Sequence, residues 1–345
     1  MSSLPKAVLY YFPRSIWSAV ALLALEEKGY GPDEIDFRIV DIWKAENYDP
    51  SFLRLNPKAT VPTLVVPLSN TLSEEIDSRY KAITDSIAIA DFLDKSRSLV
   101  SRTHTTSNAP APALAPATIA ALSIAINIIE ILHSEEAAPG RLRYNNARDE
   151  KSLRQLSGEV LHIVSTRRDV LHKYLADSEN EVIHVSEKVK QLWRERLEPI
   201  VITARVLESA DKSTEELGEA ERNERLIFLD AGKLAWEKSL PNALLKLSKE
   251  IIGPYTLGDQ ISIADLHLAA WFTRVAKLSG ANASDDGKTV VEKLERYVGV
   301  GLKLPRDFTS EANPGQREKQ AKLQAFWDAI KQRPSWLKLY GEQLY

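Results

Sequence analysis

In Ala7-Val8-Leu9-Tyr10-Tyr11-Phe12-Pro13-Arg14-Ser15, apolar and aromatic residues run unbroken up to a proline. That run reads as a short buried strand. From Ser15 or Ile16 to Lys28, Val20, Leu22, Leu23, Leu25 and the alanines between them read as a helix, stopped by Gly29 and Gly31-Pro32. A strand that turns at once into a helix opens an alternating α/β pattern, and the flanking sequence continues it. A second strand is expected at Asp36 to Asp41, with Phe37 and Ile39 on one face and Val40 on the other. A polar helical turn follows to Leu55, then a third strand at Thr63 to Val66 behind Val61-Pro62. A helix follows at Asp85 to Asp94, carrying Ile87, Ile89, Ala90, Phe92 and Leu93. The polar insert from Pro67 to Lys81 leaves room for a hairpin strand. This order predicts a mixed sheet flanked by helices.

Ser101 to Thr118 is rich in Ser, Thr, Ala and Pro and reads as a linker, placing a boundary near residue 100. Beyond it the pattern is helical: Ala117 to His133, Asn146 to Leu175, Glu187 to Asp211, Glu215 to Glu250, Ser262 to Leu278 and Glu318 to Ile330. The expected division is therefore an α/β domain over 1–98, a linker over 99–116 and an all-α domain over 117–345. Polar stretches at about 135–215 and 281–317 read as insertions. The 345-residue length fits two domains of ordinary size.

Composition narrows the function classes. With 44% hydrophobic and 27% charged residues, the chain has the make-up of a soluble globular protein. Its 45 Lys plus Arg nearly cancel 48 Asp plus Glu, so no global field favours nucleic acid. It has no cysteine, which excludes disulfides, zinc–thiolate sites and thiolate nucleophiles of its own. Any thiol it uses must come from a ligand. The six histidines have no metal-ligand spacing, so no metal is expected, and there is no phosphate-binding Gly-x-x-x-x-Gly-Lys loop. No secretory signal is recognisable, so a cytoplasmic protein is expected. Ala109 to His133 carries Glu130 as its only formal charge, but Pro110, Pro112 and Pro116 break its first half. It reads as a buried helix rather than a membrane span.

Three places could carry chemistry. In Asn56-Pro57-Lys58-Ala59-Thr60-Val61-Pro62-Thr63-Leu64, a proline sits at a strand mouth. Were its peptide bond cis, the Val61 backbone would turn outward to pair with a peptide-like ligand. A plain strand-entry turn explains the same residues. Thr84-Asp85-Ser86 precedes an apolar helix, whose first-turn N–H groups attract a carboxylate, although capping alone accounts for the pattern. In Tyr10-Tyr11-Phe12-Pro13-Arg14-Ser15, a tyrosine ends a strand and a serine starts a helix. Either hydroxyl could donate to a thiolate, and capping is again the alternative for the serine.

These segments lie in the order and spacing of the cytosolic glutathione transferases. Leu9-Tyr10-Tyr11-Phe12-Pro13-Arg14-Ser15 through Lys28-Gly29 resembles that family's strand-turn-helix opening. Asn56-Pro57 through Val61-Pro62-Thr63-Leu64 resembles its Val-Pro corner, and Asp85-Ser86-Ile87-Ala88-Ile89 is similar to its acidic-Ser-x-Ala-Ile motif. Gly258-Asp259-Gln260-Ile261-Ser262-Ile263-Ala264-Asp265 resembles its Gly-Asp-x-x-Ser-x-Ala-Asp segment, in which Ser262 and Asp265 form a capping box that serves folding. Arg333-Pro334-Ser335-Trp336 looks like its C-terminal Arg-Pro-Ser stretch. The resemblance covers residues 5–98 well and 225–345 in part, and leaves about 135–215 without a counterpart.

The resemblance implies a thioredoxin-like, glutathione-binding domain followed by an all-α domain that shapes an electrophile pocket. Glutathione, as co-substrate, supplies the sulfur that the chain lacks. Val61 beside cis-Pro62 would hold its cysteinyl backbone, Asp85 and Ser86 its γ-glutamyl end, and Lys58 or Thr60 its glycyl carboxylate. The activating hydroxyl would be Ser15 or Tyr11, with Ser15 favoured by the helix end behind it. The function implied is detoxifying transfer of glutathione to a small hydrophobic electrophile, by a homodimer that engages no nucleic acid or membrane. The alternatives are a non-catalytic binding or regulatory module of the same fold, and a glutathione-dependent lyase or isomerase.

Overall fold

The computed structural model describes residues 6–67, 80–98, 107–309 and 319–345. Most of the polar insert after Pro67, part of the linker after Ser101 and the end of the 281–317 stretch lie outside them. The chain forms two compact units, Met1–Arg38 with Pro62–Pro139 and Glu237–Tyr345, and Ile39–Val61 with Gly140–Trp236.

In chain order the strands are β1 (Ala7–Tyr11), β2 (Ile35–Ile39), β3 (Thr63–Pro67) and β4 (Tyr80–Ile83). The first helices are α1 (Ile16–Glu27), α2 (Pro50–Leu55), α3 (Ser86–Ser96), α4 (Ile119–His133), α5 (Pro139–Tyr144) and α6 (Glu150–Glu179). They are followed by α7 (Glu187–Glu208), α8 (Glu219–Lys233), α9 (Leu240–Glu250), α10 (Ile263–Leu278), α11 (Gly287–Val298), α12 (Lys322–Ile330) and α13 (Pro334–Tyr340).

The first unit is built on a four-stranded sheet in the order β2-β1-β3-β4. β3 runs antiparallel to β1, with Leu9 opposite Leu64, and to β4, with Leu64 opposite Ile83. The α1 crossover between β1 and β2 is the connection that parallel neighbours require, so the sheet is mixed and thioredoxin-like. The hairpin strand that the insert left room for is β4. Helix α1 is buried on most of its surface because α3, α10 and α13 all pack on it. Helix α10 is buried from Ile263 to Ala276, the all-round burial expected of a central helix. Its entry is the capping box expected at Ser262 and Asp265. The Asp265 carboxylate also accepts the Thr256 N–H at 2.6 Å and the Thr256 hydroxyl at 2.9 Å. The Arg-Pro-Ser stretch folds back onto α1, where Arg333 grips the buried Glu27 in a two-pronged pair at 2.7 and 2.5 Å.

A second polar tie lies at the same end of α1. Lys28, 1% exposed, donates to Asp94 at 2.8 Å and to the Pro112 carbonyl at 2.7 Å. Asp94 in turn accepts the N–H groups of Leu114 and Ala115 at 2.9 and 3.0 Å. Gly29 beside it has φ +65°, and a Cβ there would lie 2.6 Å from the Ala109 side chain. Only glycine fits both the conformation and the space.

The second unit is helical. α6 and α7 pair along Leu153, Leu156, Val160 and Val164 against Ala204, Val206 and Leu207, with Phe228 of α8 closing the cluster. Further along, Leu171, Trp193 and Leu197 enclose Leu53 of α2 and Ala59. The Trp193 indole donates to the Tyr48 carbonyl at 3.1 Å.

The stretch 135–215, expected as an insertion, carries beneath its polar composition a buried stripe at helical spacing that builds the core of the second unit. Two sequence expectations change. The helix expected over Glu215 to Glu250 is broken into α8, a π-helical turn at Leu234–Ser239 and α9. Pro241 accounts for the break, because it has no N–H to give the preceding turn. Helix α4 is not buried all round, since Ile119, Leu122 and Ile126 are exposed. Among the described residues no helix is long and apolar enough to cross a membrane.

Replacing Lys28 with Met leaves the Asp94 carboxylate buried without its cation. The expected loss of stability in urea unfolding is about 3 to 5 kcal/mol. Lys95→Met, which removes an exposed i, i+4 pair with Asp91, should cost under about 0.5 kcal/mol.

Candidate functional site

The first unit gathers Tyr11, Ser15, Pro62, Asp85 and Ser86, while Lys58, Thr60 and Val61 belong to the second. At the end of β1 the chain turns through Phe12 to Ser15, closed by the Ser15 N–H on the Phe12 carbonyl at 2.9 Å. Ser15 is the N-cap of α1, and its Oγ accepts the Ser18 N–H at 3.3 Å. A hydroxyl carries one donor and two acceptor sites, so the cap uses an acceptor and leaves the O–H proton to offer. The loop is pinned from both sides. The Phe12 N–H donates to the Ser18 hydroxyl at 3.3 Å, and Arg274 of α10 holds the Arg14 carbonyl at 2.8 Å.

Tyr11 is half-buried and meets Phe37 edge-on at 5.7 Å. It also lies within electrostatic range of Tyr345. Burial pushes the Tyr345 phenol up to about 12, opposed by a hydrogen bond with Tyr340 and the Arg274 charge, and Tyr11 adds to the rise.

Asp85 is an exposed N-cap for α3, its Oδ1 taking the N–H groups of Ile87 and Ala88 at 3.0 and 3.1 Å. Ser86 behind it is buried. Pro62 is buried at the mouth of β3, but the expected cis bond is absent. Val61–Pro62 is trans, and the cis bond among the described residues is Gly253–Pro254. The trans form of an X–Pro bond is favoured by only about 0.5 to 1 kcal/mol, so sequence alone does not fix the isomer. In the second unit the Asn56 side chain holds the 56–60 turn, donating to the Thr60 carbonyl at 2.8 Å and accepting the Lys58 N–H at 3.0 Å. Lys58 and Thr60 are exposed there, and Val61 is buried.

The structure adds a group that the motifs did not contain. His133 ends α4, and its Nε2 lies 3.0 Å from Nδ1 of His267, which is wholly buried in α10. The exposed His133 ring stacks on Trp17 at 3.9 Å and 16°, and Trp17 stands two residues past Ser15. Although His133 keeps an edge open to solvent, partial burial of its ring holds it below the usual imidazole range, while the Asp85 charge pulls it back up. Burial, with His133 beside it, pushes His267 down to about 3. The Ser15 loop, the α3 cap and the histidine pair therefore share one neighbourhood. The sequence signal was the lone histidine inside the apolar run Leu266-His267-Leu268-Ala269-Ala270-Trp271. His162 and His172 are exposed.

Residues 14–96 match the glutathione S-transferase N-terminal domain. Over those residues the chain carries a glutathione S-transferase N-terminal domain. Over 64 residues it is 47% identical to the tetrachloro-p-hydroquinone reductive dehalogenase of Sphingobium chlorophenolicum, covering 18% of this chain. The match spans 25% of that curated relative. A glutathione transferase homologue from Sulfitobacter, solved with bound glutathione, aligns over 99% of this chain and 100% of its own at 16% identity and a TM-score of 0.45. Glutathione transferase Omega 3C from Trametes versicolor aligns over 99% and 88% at 16% identity and a TM-score of 0.46.

The His267 ring makes a prediction about acid stability. Its pKa lies near 6.5 in the unfolded chain and about 3 when folded. Between those values the unfolded state binds more protons, so stability rises with pH and is lost as pH falls below about 6.5. Urea unfolding of wild type and His267→Asn from pH 7 to pH 4 should show the wild type losing up to about 1.4 kcal/mol per pH unit more than the variant. Parallel curves would mean that His267 is not buried as a neutral ring.

Proposed function

We propose that the first unit binds glutathione with its sulfur beside Ser15 and lowers the thiol pKa, so that the thiolate attacks an electrophilic carbon of a small hydrophobic substrate. The observation that carries this reading is the Ser15 cap, which spends an acceptor site on Ser18 and keeps its O–H proton for a ligand. The family match over 14–96 supports glutathione as that ligand, and the absence of cysteine from the chain makes an external thiol necessary for sulfur chemistry. In this reading residues 1–98 bind glutathione and residues 117–345 shape the substrate pocket of a cytoplasmic, detoxifying homodimer.

The chemistry is modest in size. A thiol of pKa about 8.5 is a few per cent thiolate at pH 7, and lowering it by about two units corresponds to about 2.7 kcal/mol. One charge-assisted hydrogen bond and the positive end of α1 suffice for that. Thiolate sulfur then forms the C–S bond while a leaving group departs, or while electrons move into a conjugated system. Proximity supplies the rest. The Asp85 cap on α3 adds a carboxylate suited to the glutathione α-ammonium.

Thiolate ultraviolet absorption of the glutathione complex against pH tests this directly. Wild type should titrate about two units below free glutathione. Ser15→Ala should return most of that shift and slow conjugation about a hundredfold, whereas Tyr11→Phe should leave the pKa nearly unchanged. Binding with an unshifted pKa would make the protein a non-catalytic module. A shift abolished by Tyr11→Phe would move the role to the tyrosine.

A further inference from the structure

The tautomers of the histidine pair follow from its surroundings. One of the two facing nitrogens, Nε2 of His133 and Nδ1 of His267, must carry the proton they share. His267 Nε2 is buried and has no hydrogen-bond partner. An orphaned buried N–H is the costlier way to leave a polar atom unpaired, so Nε2 is the bare nitrogen and Nδ1 of His267 carries the proton. His267 therefore donates to His133 Nε2. A neutral His133 must then hold its own proton on Nδ1, the nitrogen His267 does not engage, in a ring exposed to solvent. Charging His133 would put a proton on Nε2 and force the buried partner to turn its tautomer around. The depressed pKa values of both rings agree with a neutral pair.

A neutral imidazole with a fixed N–H is suited to an oxygen that gains negative charge during a reaction. Trp17, against which His133 stacks, is in the first turn of α1 behind the Ser15 cap, and Asp85 lies within electrostatic range of His133. We propose that His133 Nδ1–H binds the carbonyl oxygen of the second substrate, which is a conjugated carbonyl compound, with His267 as the positioning residue that fixes the tautomer. This assignment rests on the glutathione reading above. The thiolate sulfur adds to the β-carbon, the carbon–carbon π pair moves toward oxygen, and the resulting enolate is held by the His133 N–H. A proton from water then reaches the α-carbon. No electrons are gained or lost overall, and no further co-reactant is required.

The test compares benzylideneacetone, an enone, with benzyl chloride, which has no oxygen, using glutathione and the full-length protein. His133→Phe keeps a ring to stack on Trp17. It should lower kcat/KM for the enone about a hundredfold and change benzyl chloride turnover less than about twofold. His133→Asn, which restores an N–H, should recover part of the enone rate. Nitrogen-15 NMR of the wild type should show His133 protonated at Nδ1 and bare at Nε2, and that reading does not depend on any variant folding. An equal loss on both substrates, an unchanged enone rate, or the opposite His133 tautomer would overturn the proposal. Turnover of benzyl chloride but not of the enone by wild type overturns this assignment and leaves the transferase reading standing. Turnover of neither, with an unshifted glutathione pKa, removes both.

Discussion

The buried Lys28–Asp94 pair is the constraint on which the first unit depends. A buried ion pair is weak evidence for net stability, because desolvation offsets much of its Coulomb energy. What it supplies here is register. Its charges are further satisfied by the Pro112 carbonyl and the Leu114 and Ala115 N–H groups, so α1, α3 and the segment leading to α4 hold one mutual position. The Leu114 carbonyl then accepts the Ile263 N–H at 3.0 Å, which extends the same arrangement to the start of α10. Removing either charge would leave the other stranded among neighbours that cannot rotate to meet it.

Function follows from that register because the candidate groups sit at the ends of the elements it locks. Ser15 begins α1, Asp85 begins α3, His133 ends α4, and His267 lies one turn into α10. Each helix start contributes partial positive charge, and each cap spends a side-chain acceptor on it. A serine cap differs from an aspartate cap in what remains afterwards. The serine still has a proton to donate, while the aspartate has only negative charge. The first suits a thiolate and the second an ammonium group, and glutathione carries both.

Much of this was legible in the chain. The strand-to-helix turn at Pro13, the caps at Ser15, Asp85 and Ser262, and the stops at Gly29 and Gly31 are local signals, and local hydrogen bonding decides them. The isomer of the Val61–Pro62 bond was not legible, because its preference is smaller than the context that sets it. Nor was the core of the second unit: Leu153, Leu156, Val160 and Val164 form a thin stripe among charges, and composition averaged over the stretch conceals it. The histidine pair escaped because His133 and His267 are 134 residues apart and meet only through the packing of α4 on α10. No spacing rule connects them, although a single histidine in the apolar heart of α10 marked the place to look.

The central claim is that the proton left over by the Ser15 cap is directed at the sulfur of glutathione. A crystal structure of the glutathione complex tests it most directly. The account predicts the sulfur within about 3.5 Å of Ser15 Oγ, close to hydrogen-bond distance once the larger radius of sulfur is allowed for, with the γ-glutamyl end at the start of α3. Sulfur nearer the Tyr11 phenol than Ser15 Oγ, or glutathione bound away from the β1–α1 turn, would contradict it.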